Sequence, residues 1–357
     1  MILSSFLTSL QNVGVKLLYI LLALAILLFM VMIHELGHYT FGKIFKFKIN
    51  EFSIGFGKAL YSKTKKNGEK FSIRVFPLGG YCAFEGEDEA GNESPEAFNN
   101  QKPWKRLLVL VGGVTFNFIS AIIFSIILIS VIGTGVPKVT GVTGENANYI
   151  QVGDELVEIN GEKPSFVNGG IGFILSEWNE DKPITLVIKR EGEKDLITKE
   201  VFMQEFTDNL GQTYYAIGIT SYTYQKYSVG EAFLHCVPYT FEMAWDCLEI
   251  LGKLLVGKLS ISNIGGPVTT ISTIAEASQI SALNLILLFP LLAVNLAVFN
   301  ALPIPALDGA RMVFVLIEWI RRKPVNRELE AKIHFWGLVV LFAFVVLVDI
   351  LHFTVFS

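Results

Sequence analysis

His34, Glu35 and His38 lie in the stretch FMVMIHELGHYTFGK, at the end of one of the most apolar segments of the chain. Ionisable side chains at membrane depth are costly and mark functional sites. On a helix, positions i and i+4 share a face, so the two imidazoles can hold one metal ion. Glu35 is near enough to take a proton from water on that metal without being a ligand, which is the mechanical content of the HExxH pattern. A lone histidine is ordinarily a satisfied core residue. Two histidines and a carboxylate inside an apolar helix argue for metal chemistry instead.

A catalytic zinc takes three protein ligands and keeps a fourth position open. The other histidines are His235, His334 and His352. The topology argued below puts His235 and His352 on the far side of the membrane. His334 remains a rival, and Asp308, in NALPIPALDGARM, is the stronger candidate. Pro303 and Pro305 break the helix before it, and Gly309 lets the turn aim a carboxylate inward. The plain alternative for Asp308 is a helix cap. Asn295 and Asn300, in LLAVNLAVFNALP, either join helices through their amides or contact a substrate.

These residues need a membrane-embedded frame, and the composition provides one. The 357-residue chain is 52% hydrophobic and only 17% charged, below the quarter or so typical of soluble domains. Four stretches are apolar over the roughly 20 residues a bilayer requires: about Leu17 to Ile33, Leu107 to Ile132, Leu283 to Leu302, and Phe335 to Val355. The first is too long for a signal peptide and ends in HELGH, not in a small-residue cleavage site. Lysines and arginines crowd the short loops between the first and second spans and between the third and fourth. Both loops are therefore expected in the cytosol, with both termini and the long central segment outside. His34 and His38 would then sit at the cytosolic end of the first span. A net charge of -4 with no basic stripe gives no argument for nucleic acid. Cys82, Cys236 and Cys247 lack CxxC spacing, which supports neither a disulfide framework nor a thiolate zinc site.

Four divisions are expected: 1–132 with the first two spans and their loop, 133–227 as an external module, 228–280 as an external helix and loop, and 281–357 with the last two spans. In the first loop, KFSIRVFPLGGYCAF alternates at Phe71, Ile73 and Val75 like a strand, with a reversal near Pro77, Gly79 and Gly80. The stretch EGEDEAGNESPEAFNNQKPW reads as a solvated loop. The external module contains QVGDELVEINGEKP, a short strand closed by an Asn160–Gly161 turn, and the alternating strand PITLVIKREGE. It resembles a PDZ domain around Gly153, Asp154 and Gly161, which implies capture of peptide termini by strand addition; a module that only restricts access is the alternative. From Ser228 to Val256, apolar residues recur at helical spacing among acidic ones, as in an amphipathic helix on the outer leaflet.

HELGH in the first span, FPLGGY after it, the external PDZ-like module and NALPIPALDG in the third span together resemble the site-2 protease family, in particular the bacterial regulator-of-sigma-E protease branch. SIGFGKALY at Ser53 to Tyr61 and SNIGGP at Ser262 to Pro267 are similar to that branch too. The resemblance covers nearly the whole chain. It implies a mainly α membrane protein of four transmembrane helices, with a membrane-associated β-hairpin and an inserted extracytoplasmic PDZ-like α+β domain. It implies an intramembrane zinc metalloprotease of the bacterial inner membrane, with His34, His38 and Asp308 as zinc ligands and Glu35 as general base. Asn295 and Asn300 would bind substrate backbone, and the Gly79–Gly80 hairpin would present an edge strand to an unwound substrate. Its partners would be membrane proteins with a transmembrane segment, already cut outside the membrane. The chain departs from the family pattern at Ala310, in LDGA, and at GGVTFNF, which lacks the usual proline but keeps Asn117. It also has room for one PDZ-like domain where the best-known relatives carry two.

Two other function classes compete. A metal transporter would spread polar residues along several spans, whereas here they cluster at one depth. An inactive peptide-binding chaperone would not need Glu35.

Overall fold

The computed structural model describes residues 2–87, 94–164, 171, 182–207, 213–257 and 265–355. Part of the acidic loop (88–93) and the start of SNIGGP lie outside them. Four helices are long and apolar enough to cross a membrane, at Gly14–Ile44, Pro103–Val131, Leu283–Ala301 and Arg327–His352. They correspond to the four apolar stretches of the sequence. The first, α1 (Ile2–Ile44), runs on through HELGH, so the histidines sit on a continuous helix.

The chain forms two compact units, residues 1–122 with 247–357, and residues 123–246. In the first unit α1 leads into two long strands, β1 (Ile49–Thr64) and β2 (Lys70–Phe84). Their pairing is not that of a simple hairpin. Lys70 to Ile73 pair with Thr64 to Tyr61 on one side and with Glu51 to Ile54 on the other. Gly80 to Ala83 pair with Ile54 to Glu51 alone. The first half of β1 therefore lies between the two halves of β2. The expected reversal at Pro77–Gly80 is present, but the strand around Ile73 is interior; the run from Gly80 to Phe84 is one edge, and Tyr61 to Thr64 is the other. At Gly79 φ is +135° and a Cβ would lie 2.7 Å from the Phe56 ring, so the crossing needs a glycine.

The turn at Lys65–Gly68 is tied back to α1 by Glu69. This carboxylate is buried and bonded by Lys43, by Lys65 at 2.6 Å and by the Tyr39 hydroxyl at 2.9 Å. Burial opposes ionisation, but these donors hold the Glu69 carboxyl down at about 2.

The first unit continues into α2 (Pro103–Val131), whose last residues, from Ile123, belong to the second. After α3 (Val229–Leu255) come α4 (Pro267–Ile280), α5 (Ala282–Ala301), α6 (Asp308–Arg321) and α7 (Arg327–Val355). An aromatic cluster of Phe47, Phe84 and Phe98 packs with Val109, Leu110 and Val315, joining strand ends to α2 and α6. A buried ion network reinforces that junction: Arg106 of α2 pairs with Glu318 of α6, which also accepts from Arg327 at 2.6 Å. At the other end of α7, the Asp349 carboxylate accepts from the first backbone amides of α4, Val268 and Thr269, both at 3.1 Å, as an N-terminal cap does. The helix expected from Ser228 is α3; its Cys247 thiol donates to Asn295 Oδ1 of the third span at 2.9 Å.

The second unit holds a five-stranded antiparallel sheet in the order β6-β5-β4-β3-β9, with strands Ile197–Val201, Ile184–Lys189, Glu155–Ile159, Thr134–Val142 and Ile219–Gln225. A separate ribbon pairs β7 (Gln204–Thr207) with β8 (Thr213–Ala216). Val139, Leu156, Ile159, Ile184, Leu186 and Ile188 are part of its core. The Asn160–Gly161 turn is as expected, with φ of +53° and +81°, the geometry of a two-residue hairpin. Asp154 is buried and binds Arg190 through both carboxylate oxygens, at 2.7 and 2.8 Å. That pairing holds its carboxyl below the usual range despite the cost of burial. Most of 165–181, the stretch after this turn, is outside the described residues.

Candidate metal centre

His34 and His38 are buried on the same face of α1, and their Nε2 atoms lie 3.1 Å apart. Asp308 reaches both: its Oδ2 is 2.9 Å from His34 Nε2 and 3.1 Å from His38 Nε2. Among the described residues, this trio is the one group of three or more His, Cys, Asp or Glu side chains arranged to hold a metal, with ligand atoms all within 4.8 Å. Asp308 is the first residue of α6, but Leu307 occupies the cap position, so the carboxylate is turned to the imidazoles and not to its own helix end. Burial alone would raise its pKa. Its contacts with the two imidazoles, His38 above all, hold it well below the usual carboxylate range.

The loop that delivers Asp308 follows from its composition. Pro303 and Pro305 end α5 at Ala301, and Gly309 folds tightly against that helix end. A Cβ there would lie 2.1 Å from the Leu302 carbonyl oxygen.

Each imidazole is oriented from behind. His38 Nδ1 is 2.9 Å from the Val109 carbonyl oxygen, which fixes the ring proton on Nδ1 and leaves the Nε2 lone pair facing Asp308. His34 Nδ1 is 3.1 Å from the Asn117 side-chain amide. Gly113 lies on the same face of α2 as Asn117, one turn earlier. A Cβ at Gly113 would be 2.5 Å from His38 Nε2 and 2.7 Å from His34 Cε1. Gly112 meets Gly37 backbone to backbone, since a Cβ on Gly37 would lie 2.2 Å from Gly112 O. This small-residue crossing lets α1 and α2 approach closely and keeps the space between the rings open. A donor set of two imidazole nitrogens and one carboxylate oxygen, held by outer hydrogen bonds, fits zinc.

Glu35 projects beside this cluster toward the sheet edge. Its carboxylate lies near the Cys82 backbone amide, and a Cβ on Gly80 would be 3.7 Å from Glu35 Cγ. Two residues on, the Phe84 N–H faces Glu87 Oε2 at 3.4 Å. The outward amides of this edge are thus covered by acidic side chains, not by a further strand. Burial pushes the Cys82 thiol well above its ordinary range, so it is no nucleophile.

The structure thus brings together His34, His38, Asp308 and Glu35, and sets Gly80 next to Glu35. His334, the rival ligand, is elsewhere: its Nδ1 accepts from the Ala306 amide at 3.1 Å. Asn295 accepts from Cys247, and the Asn300 amide donates to Leu296 O at 3.0 Å. The sequence reading missed Gly113 and the orienting role of Asn117. The signal was there in GGVTFNF, a glycine and an amide at helical spacing.

Comparison with known proteins agrees with this geometry. The model of peptidase family M50 matches residues 22–344. Three similar bacterial proteins share the name "Putative zinc metalloprotease". One from Fusobacterium nucleatum is 29% identical, covering 92% of this chain and 97% of its own length. One from Clostridium perfringens is 30% identical, covering 93% and 97%. One from Agrobacterium fabrum is 29% identical, covering 86% and 88%.

Proposed function

Because this chain belongs to peptidase family M50 and is a zinc metalloprotease, we propose that it hydrolyses peptide bonds within or near transmembrane segments of membrane proteins. The observation that carries this reading is the trio of His34, His38 and Asp308 on helices of the membrane-spanning unit, beside an unpaired strand edge. These three residues hold the zinc. When bound, zinc supplies a Lewis acid that polarises the scissile carbonyl and acidifies water near neutral pH. Glu35 takes the proton of the attacking water and passes it to the leaving amine.

A scissile bond inside a substrate helix is shielded, and unwinding it in lipid would strand amides at several kcal/mol each, about the cost of a lost hydrogen bond in hydrocarbon. The edge from Gly80 to Phe84, set up by Gly79 and Gly80, bonds the unwound peptide and holds it extended beside Glu35. Asn295 and Asn300 contact the substrate backbone from the third span. The chain works in a bacterial inner membrane with its centre near the cytosolic face. Both termini and the PDZ-like unit are outside, and substrates arrive already trimmed there. The PDZ-like unit either captures their new termini or restricts entry.

The test is cleavage of a membrane-embedded reporter by the wild type and by Glu35→Gln, with bound zinc measured in both. Zinc retained and cleavage lost in the variant supports the reading; equal cleavage by both overturns it.

A further inference from the structure

Among the described residues, Ala306 is the one apolar side chain whose φ is positive, at +81°. Asparagine reaches this region with help from its own polar group, but alanine has none, so its surroundings must impose the conformation. Ala306 stands just ahead of Asp308, in the loop that leaves α5 and enters α6.

Three contacts impose it. The Ala306 N–H donates to His334 Nδ1 at 3.1 Å, across from α7. One turn further along α7, Gly337 leaves room for the same loop, since a Cβ there would lie 2.1 Å from Pro305 Cβ. Phe314 of α6 packs against the His334 ring, with centroids 5.6 Å apart. The imidazole is thus held by the helix that begins at Asp308 while it holds the loop that leads there.

We infer that His334 is a positioning residue for the metal centre: by accepting the Ala306 amide it fixes the left-handed turn that carries Asp308 to His34 and His38. It does this as an acceptor, with its ring proton on Nε2, and not as a ligand. With an alanine in ordinary right-handed geometry, the chain would leave Pro305 in another direction and α6 would begin elsewhere. A glycine at 306 would take the left-handed conformation unaided, and the dependence on His334 would fall.

That last point makes the idea testable on the full chain in detergent, by zinc retention against a competing chelator and by reporter cleavage. His334→Ala should weaken zinc retention about ten- to a hundredfold, the usual effect of losing a partner that orients a ligand. His334→Asn, whose amide oxygen can replace Nδ1 as acceptor, should retain most of it. Adding Ala306→Gly to His334→Ala should restore most of the lost retention. A His334 that ligated zinc, or that merely packed α7, could not be rescued by a glycine at 306. A folded His334→Ala with unchanged zinc retention overturns the inference, and so does a double variant with no recovery. Should His334→Ala alone fail to fold, recovery of the fold in the double variant supports the inference and continued failure overturns it. The inference rests on Asp308 as a zinc ligand. Zinc kept by Asp308→Ala would refute that premise, whereas absent rescue with Asp308→Ala metal-free would refute the role of His334 alone.

Discussion

The side-chain amide of Asn117 lies 3.1 Å from Nδ1 of His34, on the side of the ring away from Asp308. For Nε2 to offer a lone pair to zinc, the ring proton must sit on Nδ1; the Asn117 amide shows its Nδ2 to that atom and leaves Oδ1 buried without a partner, so turning the amide over brings Oδ1 to the proton as its acceptor. Asn117 thus does for His34 what the Val109 carbonyl does for His38. Asn117→Asp keeps an acceptor and should keep zinc. Asn117→Leu should cost about ten- to a hundredfold in zinc affinity, read by chelator competition, with the helices intact by circular dichroism.

The two glycines of α2 separate in their effects. Gly113→Ala puts a methyl against both imidazoles and should empty the site with little change in melting temperature. Gly112→Ala presses on the Gly37 backbone and should destabilise the fold by about 1–3 kcal/mol, as overpacking does. Metal content and thermal unfolding of each variant decide the point.

Proline substitution distinguishes interior strand from edge. Ile73 is paired on both sides, so Ile73→Pro should unfold the sheet and lower the melting temperature. The Cys82 backbone amide lies near Glu35, and an edge tolerates proline where the lost donor faces outward. Cys82→Pro should therefore stay folded and bind zinc, yet cut helical substrates poorly. A substrate with Gly or Pro near its scissile bond should suffer less. Equal loss on both substrates would remove the edge from any part in unwinding.

Glu69 gives a pH-dependent prediction. Its carboxyl is held at about 2, against an ordinary value of 4.5. A depressed carboxylate contributes stability that is complete above its unfolded value and is lost as pH falls through the folded one. Glu69→Gln should lower stability by about 1–3 kcal/mol near neutral pH, the scale for charge-assisted hydrogen bonds. The gap in melting temperature from wild type should hold constant from neutral pH to pH about 5 and shrink below about 4.

The grouping of His34 and His38 with Asp308 was readable because its logic is local. HELGH places two imidazoles by helical period alone, and the proline-rich loop before Asp308 announces a turn. Asp308 over His334 was a preference, since both lie at the same depth and only three-dimensional placement tells a ligand from a hydrogen-bond acceptor. The order of strands in the first unit was hidden for a different reason. Alternation at Phe71, Ile73 and Val75 marks a strand but carries nothing about how many neighbours it has. Pairing of Ser53 with both Ser72 and Tyr81 depends on register between segments distant in the chain. The Cys247–Asn295 contact was equally invisible, because spacing within α3 does not specify which helix it meets.

One consequence follows from the fastening of α7. Leu338, Val339, Val340 and Phe342 in its middle are exposed on the protein, and in a bilayer they touch acyl chains. Leucine gains little by exchanging one hydrocarbon neighbour for another, so greasy contacts do not choose where such a helix stands. The choice falls to its polar attachments, Arg327 and His334 toward one end and Asp349 toward the other. α7 is held near both of its ends, so the tilt that bilayer thickness imposes on such a helix becomes a mechanical input to the loop that carries Asp308.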